Sequence, residues 1–196
     1  GMDDLLVSST YEDDYSGDHG SQFLFMMKEG GGILSHHQYH KGRPGMQNGH
    51  PYSKHSLIPR GDVDGDGVPD FGSYHNSVFL NADGSAKIAV DQHINQGGYG
   101  WDNSYQGAHL GDLDGDGVPE MMRIGDGWVD IAYQRRDGTW KDTQNVSGLS
   151  GYGGAVDSLG DIDGDGSMEI AVGKKWGGND NGVKIISLGK GCYTCG

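Results

Sequence analysis

The chain has 196 residues, and its 28 Asp and Glu against 14 Lys and Arg give a formal net charge of -14. A surface this acidic repels nucleic acid and anionic membranes, so neither is expected as a partner. No stretch approaches the roughly eighteen consecutive apolar residues of a membrane-spanning helix, so membrane insertion is not expected either.

The acidic residues are concentrated in a repeated motif. Its pattern is Gly-Asp-x-Asp-Gly-Asp-Gly-x-x-acid, and its three copies hold twelve of the 28 acids. The copies begin at Gly61, Gly111 and Gly160, at offsets of 50 and 49 residues. The first four residues of the chain match the end of the same motif, with Asp4 aligned to Asp70. The chain is therefore expected to begin inside a further copy.

Short β-strands are predicted around each motif copy, in a constant order. A strand follows the copy directly, at 4–8, 120–124 and 169–173. A second β-rich run comes after a turn, at 22–27, 78–80, 128–133 and 183–188. A Gly-containing turn, such as Ala82-Asp-Gly-Ser or Arg136-Asp-Gly-Thr, is a hairpin signal and leads to a more polar strand at 33–39, 86–90 or 139–142. A short strand ending in Leu-Gly enters the next copy.

Four short strands about every fifty residues, without helical periodicity, predict an all-β fold made of β-propeller blades. The predicted units are 1–50, 51–100, 101–150 and 151–188, followed by a cysteine-containing tail at 189–196. The first unit lacks its entering strand and the last lacks its fourth, so about four blades are expected, two of them incomplete. The chain could close a ring on itself, form an arc of a larger ring, or share strands between copies.

The motif copies are predicted to bind calcium. Calcium prefers six to eight oxygen ligands at flexible geometry, and alternating Asp residues in a tight loop direct several carboxylates inward. The glycines at the fourth and sixth positions of each loop permit positive φ values that wrap the backbone around an ion. Three Ca²⁺ sites are expected, each with three Asp, one main-chain carbonyl and a closing acid. Their ligands are Asp62, Asp64, Asp66, the Val68 carbonyl and Asp70; Asp112, Asp114, Asp116, the Val118 carbonyl and Glu120; and Asp161, Asp163, Asp165, the Ser167 carbonyl and Glu169.

An EF-hand begins with the same residues but requires an acid at the twelfth position and flanking helices. The twelfth positions here are Ser73, Arg123 and Val172, and the flanks are predicted strands, so EF-hands are excluded. Magnesium is disfavoured because it dehydrates reluctantly and rarely accepts an all-protein cage. Metal-free Asp-Gly turns would explain one loop, but three nearly identical loops at regular spacing favour metal binding.

The loops and their flanks resemble FG-GAP repeats, the calcium-binding propeller blades of integrin α subunits and of many secreted proteins. The segment that begins at Tyr152 and reads Tyr-Gly-Gly-Ala-Val-Asp-Ser-Leu-Gly-Asp-Ile-Asp-Gly-Asp-Gly is close to the family pattern, and Glu169-Ile-Ala-Val-Gly fits the strand that follows. The resemblance spans most of residues 1–188. It implies an extracellular location and a role in adhesion, ligand binding or surface architecture.

Two further features are candidate covalent sites. Cys192 and Cys195 could form a small disulfide, half of a zinc site or a redox pair. A disulfide is favoured, either between the two cysteines or to a part of the protein outside this sequence. Asn145-Val-Ser is a glycosylation sequon in a predicted turn after an outer strand.

The favoured function is a non-enzymatic extracellular scaffold that calcium makes rigid, for adhesion or for a surface assembly or filament. Its partner would be a protein or glycan ligand, or copies of the same chain. A carbohydrate-binding lectin is the first alternative, because aromatic side chains could stack on sugar rings, although packing between blades also explains them. The aromatic candidates are Tyr99, Trp101, Trp128, Trp140 and Trp176. A polysaccharide-active enzyme is the second. The sequence shows no catalytic triad, phosphate-binding loop or isolated carboxylate pair.

Overall fold

The computed structural model describes residues 3–9, 20–40, 42–46, 57–73, 76–91, 106–125, 128–146, 148–149, 152–174 and 182–189. All regular structure in these segments is β-strand, so the predicted all-β class is confirmed. Within these segments no helix has the length and hydrophobicity needed to cross a membrane.

The strands form four antiparallel sheets, and each sheet pairs its strands in chain order. Sheet I contains β1 (Leu5–Ser9), β2 (Ser21–Lys28) and β3 (Gly32–Tyr39). Sheet II contains β4 (Ile58–Gly61), β5 (Asp70–Gly72), β6 (Asn76–Leu80) and β7 (Ala86–Asp91). Sheet III contains β8 (Gln106–Gly111), β9 (Glu120–Gly125), β10 (Trp128–Gln134) and β11 (Trp140–Asn145). Sheet IV contains β12 (Tyr152–Gly160), β13 (Met168–Lys174) and β14 (Val183–Leu188).

The Asp-rich motifs occupy the connections between the first and second strands of sheets II, III and IV. We call residues 62–70 loop 1, residues 112–120 loop 2 and residues 161–169 loop 3. Each loop leaves a strand that ends in glycine, and its closing acid lies at or next to the start of the following strand. The first strands are also neighbours across sheets, because β8 contacts both β4 and β12.

The core lies between successive sheets. One cluster joins sheets I and II, through residues that include Leu24, Tyr39, Phe71 and Val78. The largest cluster joins sheets III and IV and includes Leu110, Met122, Ile124, Ile131, Ile170 and Val172. Two smaller clusters join sheets II and III: Ile58 with Met121 and Ala132, and Val63 with Phe79 and Val118.

The period-two geometry of a strand explains why sheet III is buried on both faces. Successive side chains of a strand point to opposite faces. In β9, Met121 belongs to the cluster shared with sheet II, whereas Met122 and Ile124 belong to the cluster shared with sheet IV. In β10 the same division separates Ala132 from Ile131. A strand whose sheet is packed between two other sheets therefore needs apolar residues at consecutive positions.

The interface between sheets II and III also contains buried cations. Arg123 and Asp130 form a two-point ion pair, with N–O distances of 3.0 and 2.7 Å. The Arg60 guanidinium donates to Gln134 Oε1 and to the Ser73 carbonyl, each at 2.7 Å. Burial, together with the nearby Arg123 charge, lowers the pKa of Arg60 to about 9.

Trp140 packs against this polar cluster. Its ring centroid lies 5.1 Å from the guanidinium carbon of Arg60 and 5.1 Å from that of Arg123. Trp140 is only half-buried and also packs on the small apolar cluster between sheets II and III. Two cations on one indole are mutually repulsive, and the ring quadrupole attracts both. The Trp140 ring therefore packs between sheets II and III.

Candidate metal centres

The first Asp of each loop organises the loop backbone. In loop 1, Asp62 accepts N–H bonds from Gly65 and Gly67, each at 2.8 Å. The equivalent bonds in loops 2 and 3, to Asp112 and Asp161, measure 2.7 to 2.9 Å. These glycines all have positive φ, between 78° and 89°, as the sequence predicts. The loop thus wraps around one carboxylate because glycine permits that backbone conformation.

The second and third Asp residues of each loop accept hydrogen bonds from the loop backbone through their Oδ1 atoms. In loop 2, Asp114 Oδ1 accepts from the Asp116 N–H at 3.2 Å, and Asp116 Oδ1 accepts from the Val118 N–H at 2.9 Å. Loop 1 and loop 3 repeat both bonds. In loops 1 and 2 the Oδ2 atoms of these residues instead contact lysine ammonium groups.

The closing acids of loops 2 and 3 make different contacts from the closing acid of loop 1. Glu120 Oε2 accepts from the Leu113 N–H at 2.6 Å, and Glu169 Oε2 accepts from the Ile162 N–H at 3.0 Å. The second oxygen of each glutamate, Oε1, is buried and has no hydrogen-bond partner in the part of the chain that the structure describes. A buried carboxylate oxygen without a partner is costly, and a cation beside it removes that cost.

Asp70 behaves differently because its side chain is one methylene shorter. Its Oδ2 accepts from the Val63 N–H and its Oδ1 from the Leu80 N–H, each at 3.0 Å. Both oxygens are thus engaged by the backbone. Asp4 repeats the second of these contacts, since its Oδ1 accepts from the Met27 N–H at 2.8 Å. This shared contact supports the alignment of Asp4 with Asp70.

Each loop brings three carboxylates together. In every loop, one oxygen from each of three acids lies within 4.8 Å of the other two. The groups are Asp62, Asp64 and Asp66 in loop 1, Asp112, Asp114 and Glu120 in loop 2, and Asp161, Asp163 and Glu169 in loop 3. The predicted ligands Asp70, Asp116 and Asp165 lie outside these groups, and the predicted carbonyl ligands Val68, Val118 and Ser167 remain predictions.

The donor set fits a hard divalent cation. It contains only oxygen, and in loops 2 and 3 one of its members is a glutamate whose Oε1 atom is buried without a hydrogen-bond partner among the described residues. Burial raises the pKa of Glu120 to about 7, and the charges of Asp114, Asp112 and Asp116 add to the rise. Burial likewise raises the pKa of Asp70 to about 6. Both shifts arise first from burial, which disfavours the ionised form of each closing acid, and neighbouring Asp charges add to it.

Two lysines partly compensate the negative charge of loops 1 and 2, and the sequence analysis missed both. Lys141 forms ion pairs with Asp114 and Asp116 of loop 2. Lys87 forms them with Asp64 and Asp66 of loop 1. The bond from Lys87 lowers the pKa of Asp66, and these carboxylates raise the pKa of Lys87 above its usual range. An alignment of the two Asp-Gly turns in the sequence would have revealed both lysines, because each lysine follows the Asp of its turn by four residues.

The remaining predicted sites have separate outcomes. Asn145 is exposed, but it is the last residue of β11, paired with Asp130, so its placement in a turn was wrong. Its side-chain amide donates to the Val129 carbonyl at 3.3 Å. Modification of Asn145 stays a prediction. Cys192 and Cys195 lie outside the described residues, and so do Trp101, Tyr99 and Trp176.

Comparison with known families agrees with this geometry. A family model described as an FG-GAP-like repeat matches residues 112–172, from the first Asp of loop 2 into β13. This part of the chain is therefore similar to an FG-GAP-like repeat. The resemblance drawn from the motif is thereby confirmed, and the match indicates a β-propeller-like repeat domain. A search of curated proteins found no match.

Proposed function

We propose that this FG-GAP-like chain is an extracellular calcium-binding β-propeller segment that serves as a scaffold for adhesion or surface assembly. Three calcium ions, one in each loop, would hold the first and second strands of sheets II, III and IV together. Adhesion and surface assembly are typical roles of FG-GAP repeats. The partner would be a protein or glycan ligand, or further copies of the chain.

The observation that carries the calcium proposal is the buried, unpartnered Oε1 atom of Glu120 and of Glu169. Both glutamates belong to groups of three carboxylates. A loop that served only as a turn would gain nothing from burying an acid beside two others. The clustered oxygens suit calcium better than magnesium because calcium tolerates irregular geometry and an all-protein ligand set.

Ion binding in the loops would also stabilise the packing of the sheets. Val63 of loop 1 and Val118 of loop 2 are buried together with Phe79 of β6. The two loops therefore contribute directly to the contact between sheets II and III. Each ion at a free concentration one hundred times its Kd adds about 2.7 kcal/mol to the free energy of unfolding. Three ions would contribute an amount comparable with the stability of a typical domain.

Exposed apolar side chains support a binding role for the scaffold. Ile33 and Leu34 on β3, and Val183 and Ile185 on β14, are all more than half exposed. Both strands are the outer described strands of their sheets. These outer strands are where a protein ligand or a further copy of the chain would pack.

The test is a calcium titration combined with thermal unfolding. Isothermal titration calorimetry of the purified chain should find three calcium ions bound per chain, with much weaker binding of magnesium. The melting temperature should rise with calcium concentration and fall sharply in excess chelator. A melting curve that is identical in chelator and in calcium would refute the proposal.

A further inference from the structure

Lys87 and Lys141 occupy equivalent positions in sheets II and III. Each is the second residue of its strand, β7 or β11, which is the fourth strand of its sheet. Each follows an Asp-Gly turn, at Asp83 or Asp137, by four residues. The residue before each lysine pairs with the end of the third strand, so the strand registers agree as well. The two lysines are therefore a repeated feature of the fold.

The lysines contact the same positions of their loops. Lys141 Nζ lies 2.6 Å from Asp114 Oδ2 and 2.9 Å from Asp116 Oδ2. Lys87 Nζ lies 2.8 Å from Asp64 Oδ2 and also contacts Asp66 Oδ2. In both loops one ammonium group bridges the second and third Asp residues of the motif.

The oxygens that the ammonium groups contact are those left available for a metal. The Oδ1 atoms of the same Asp residues accept backbone N–H bonds within the loop. Asp64 and Asp114 are, in addition, members of the carboxylate groups that could hold an ion. A divalent cation and the lysine would thus compete for the same carboxylates, because both need their Oδ2 atoms and both are positively charged.

We propose that Lys87 and Lys141 are tethered counter-ions that stabilise loops 1 and 2 without calcium and lower the calcium affinity of those two loops. This inference rests on the proposed function, since it assumes that the loops bind calcium. When the ion binds, each ammonium group must leave the Oδ2 atoms or remain nearby and repel the ion. Loops 1 and 2 would then fill only at higher calcium concentrations than their carboxylates alone require.

The experiment measures calcium binding to the full chain by titration against a competing chelator. Lys87→Met and Lys141→Met keep the aliphatic stem and remove the charge. Each substitution should increase the calcium affinity of one loop about tenfold, because it removes the repulsion between a unit charge and a divalent ion a few ångströms away. The double variant should increase the affinity of two loops. In chelator each variant should melt at a lower temperature than the wild type, because the carboxylates of its loop lose their counter-ion.

Lys184→Met is the matched control for loss of one positive charge. The Lys184 ammonium contacts the Gly148 carbonyl, at 2.9 Å, and the Tyr152 ring rather than a loop carboxylate. This variant should leave all three affinities unchanged. Lys141→Arg, which retains the charge, should stay close to the wild type.

Unchanged or weaker calcium binding in the Lys87→Met and Lys141→Met variants would overturn the counter-ion proposal, and so would equal tightening in Lys184→Met. A wild-type chain that binds no calcium in any loop would instead refute the proposed function. The two failures are therefore distinguishable.

Discussion

Replacing Glu120 by Gln should have opposite effects on stability with and without calcium. Burial and three neighbouring Asp charges raise the pKa of Glu120 to about 7 in the folded chain, against an ordinary 4.5. The protonated form therefore favours the fold below a pH of about 4.5, and this advantage is lost as the pH rises through about 7. At pH 8 the ionised carboxylate destabilises the calcium-free fold by about 3 kcal/mol. Glutamine keeps an acceptor for the Leu113 N–H and removes that charge.

Equilibrium unfolding in urea at pH 8, in excess chelator and in millimolar calcium, tests this reasoning. In chelator, E120Q should raise the free energy of unfolding by about 2 to 3 kcal/mol, and the gain should vanish near pH 4.5. In calcium the variant should be less stable than the wild type, because loop 2 loses a charged ligand. Asp142→Asn, which removes an exposed acid on β11, is the control and should change neither value. A variant that is destabilised equally in chelator and in calcium would refute the reasoning.

Two further predictions concern the contact between sheets II and III. Gly61 and Gly160 share a positive φ, of 68° and 70°, but a Cβ on Gly61 would lie 2.7 Å from a ring nitrogen of His109, whereas Gly160 has open space. In chemical denaturation, Gly160→Ala should lower the free energy of unfolding by about 1 kcal/mol because of backbone strain. Gly61→Ala should lower it clearly more, because its Cβ would also collide with His109. Equal losses would contradict the close packing at Gly61. Asp130→Asn should lower the free energy of unfolding by about 3 kcal/mol, since it leaves Arg123 buried without its carboxylate; a loss below about 1 kcal/mol would show that the pair is dispensable.

The internal geometry of the loops could be predicted from the sequence because it is local. Every bond between Asp62 or its equivalents and the loop backbone spans at most five residues. The glycines at fixed positions permit the required positive φ values in any context. Strand order followed from the same repeat, because short antiparallel strands joined by tight turns pair with their chain neighbours.

The closing acids show where sequence similarity was insufficient. Asp70 and Glu120 occupy the same motif position and were assigned the same role. The structure engages both oxygens of Asp70 with backbone N–H groups and leaves one oxygen of Glu120 buried and unpartnered. The difference arises from one methylene on a buried strand, where side-chain length decides which donors a carboxylate reaches.

The sequence by itself determined the repeat, the three acidic loops and the all-β class, because these depend on contacts within a few residues and on a regular period. Only the tertiary structure decided which distant groups meet those loops. Lys141 reaches Asp114 across 27 residues, and Arg60 reaches Gln134 across 74. Such pairs depend on strand register and on the packing of one sheet against the next, and both are set by the summed burial of many side chains rather than by any local motif.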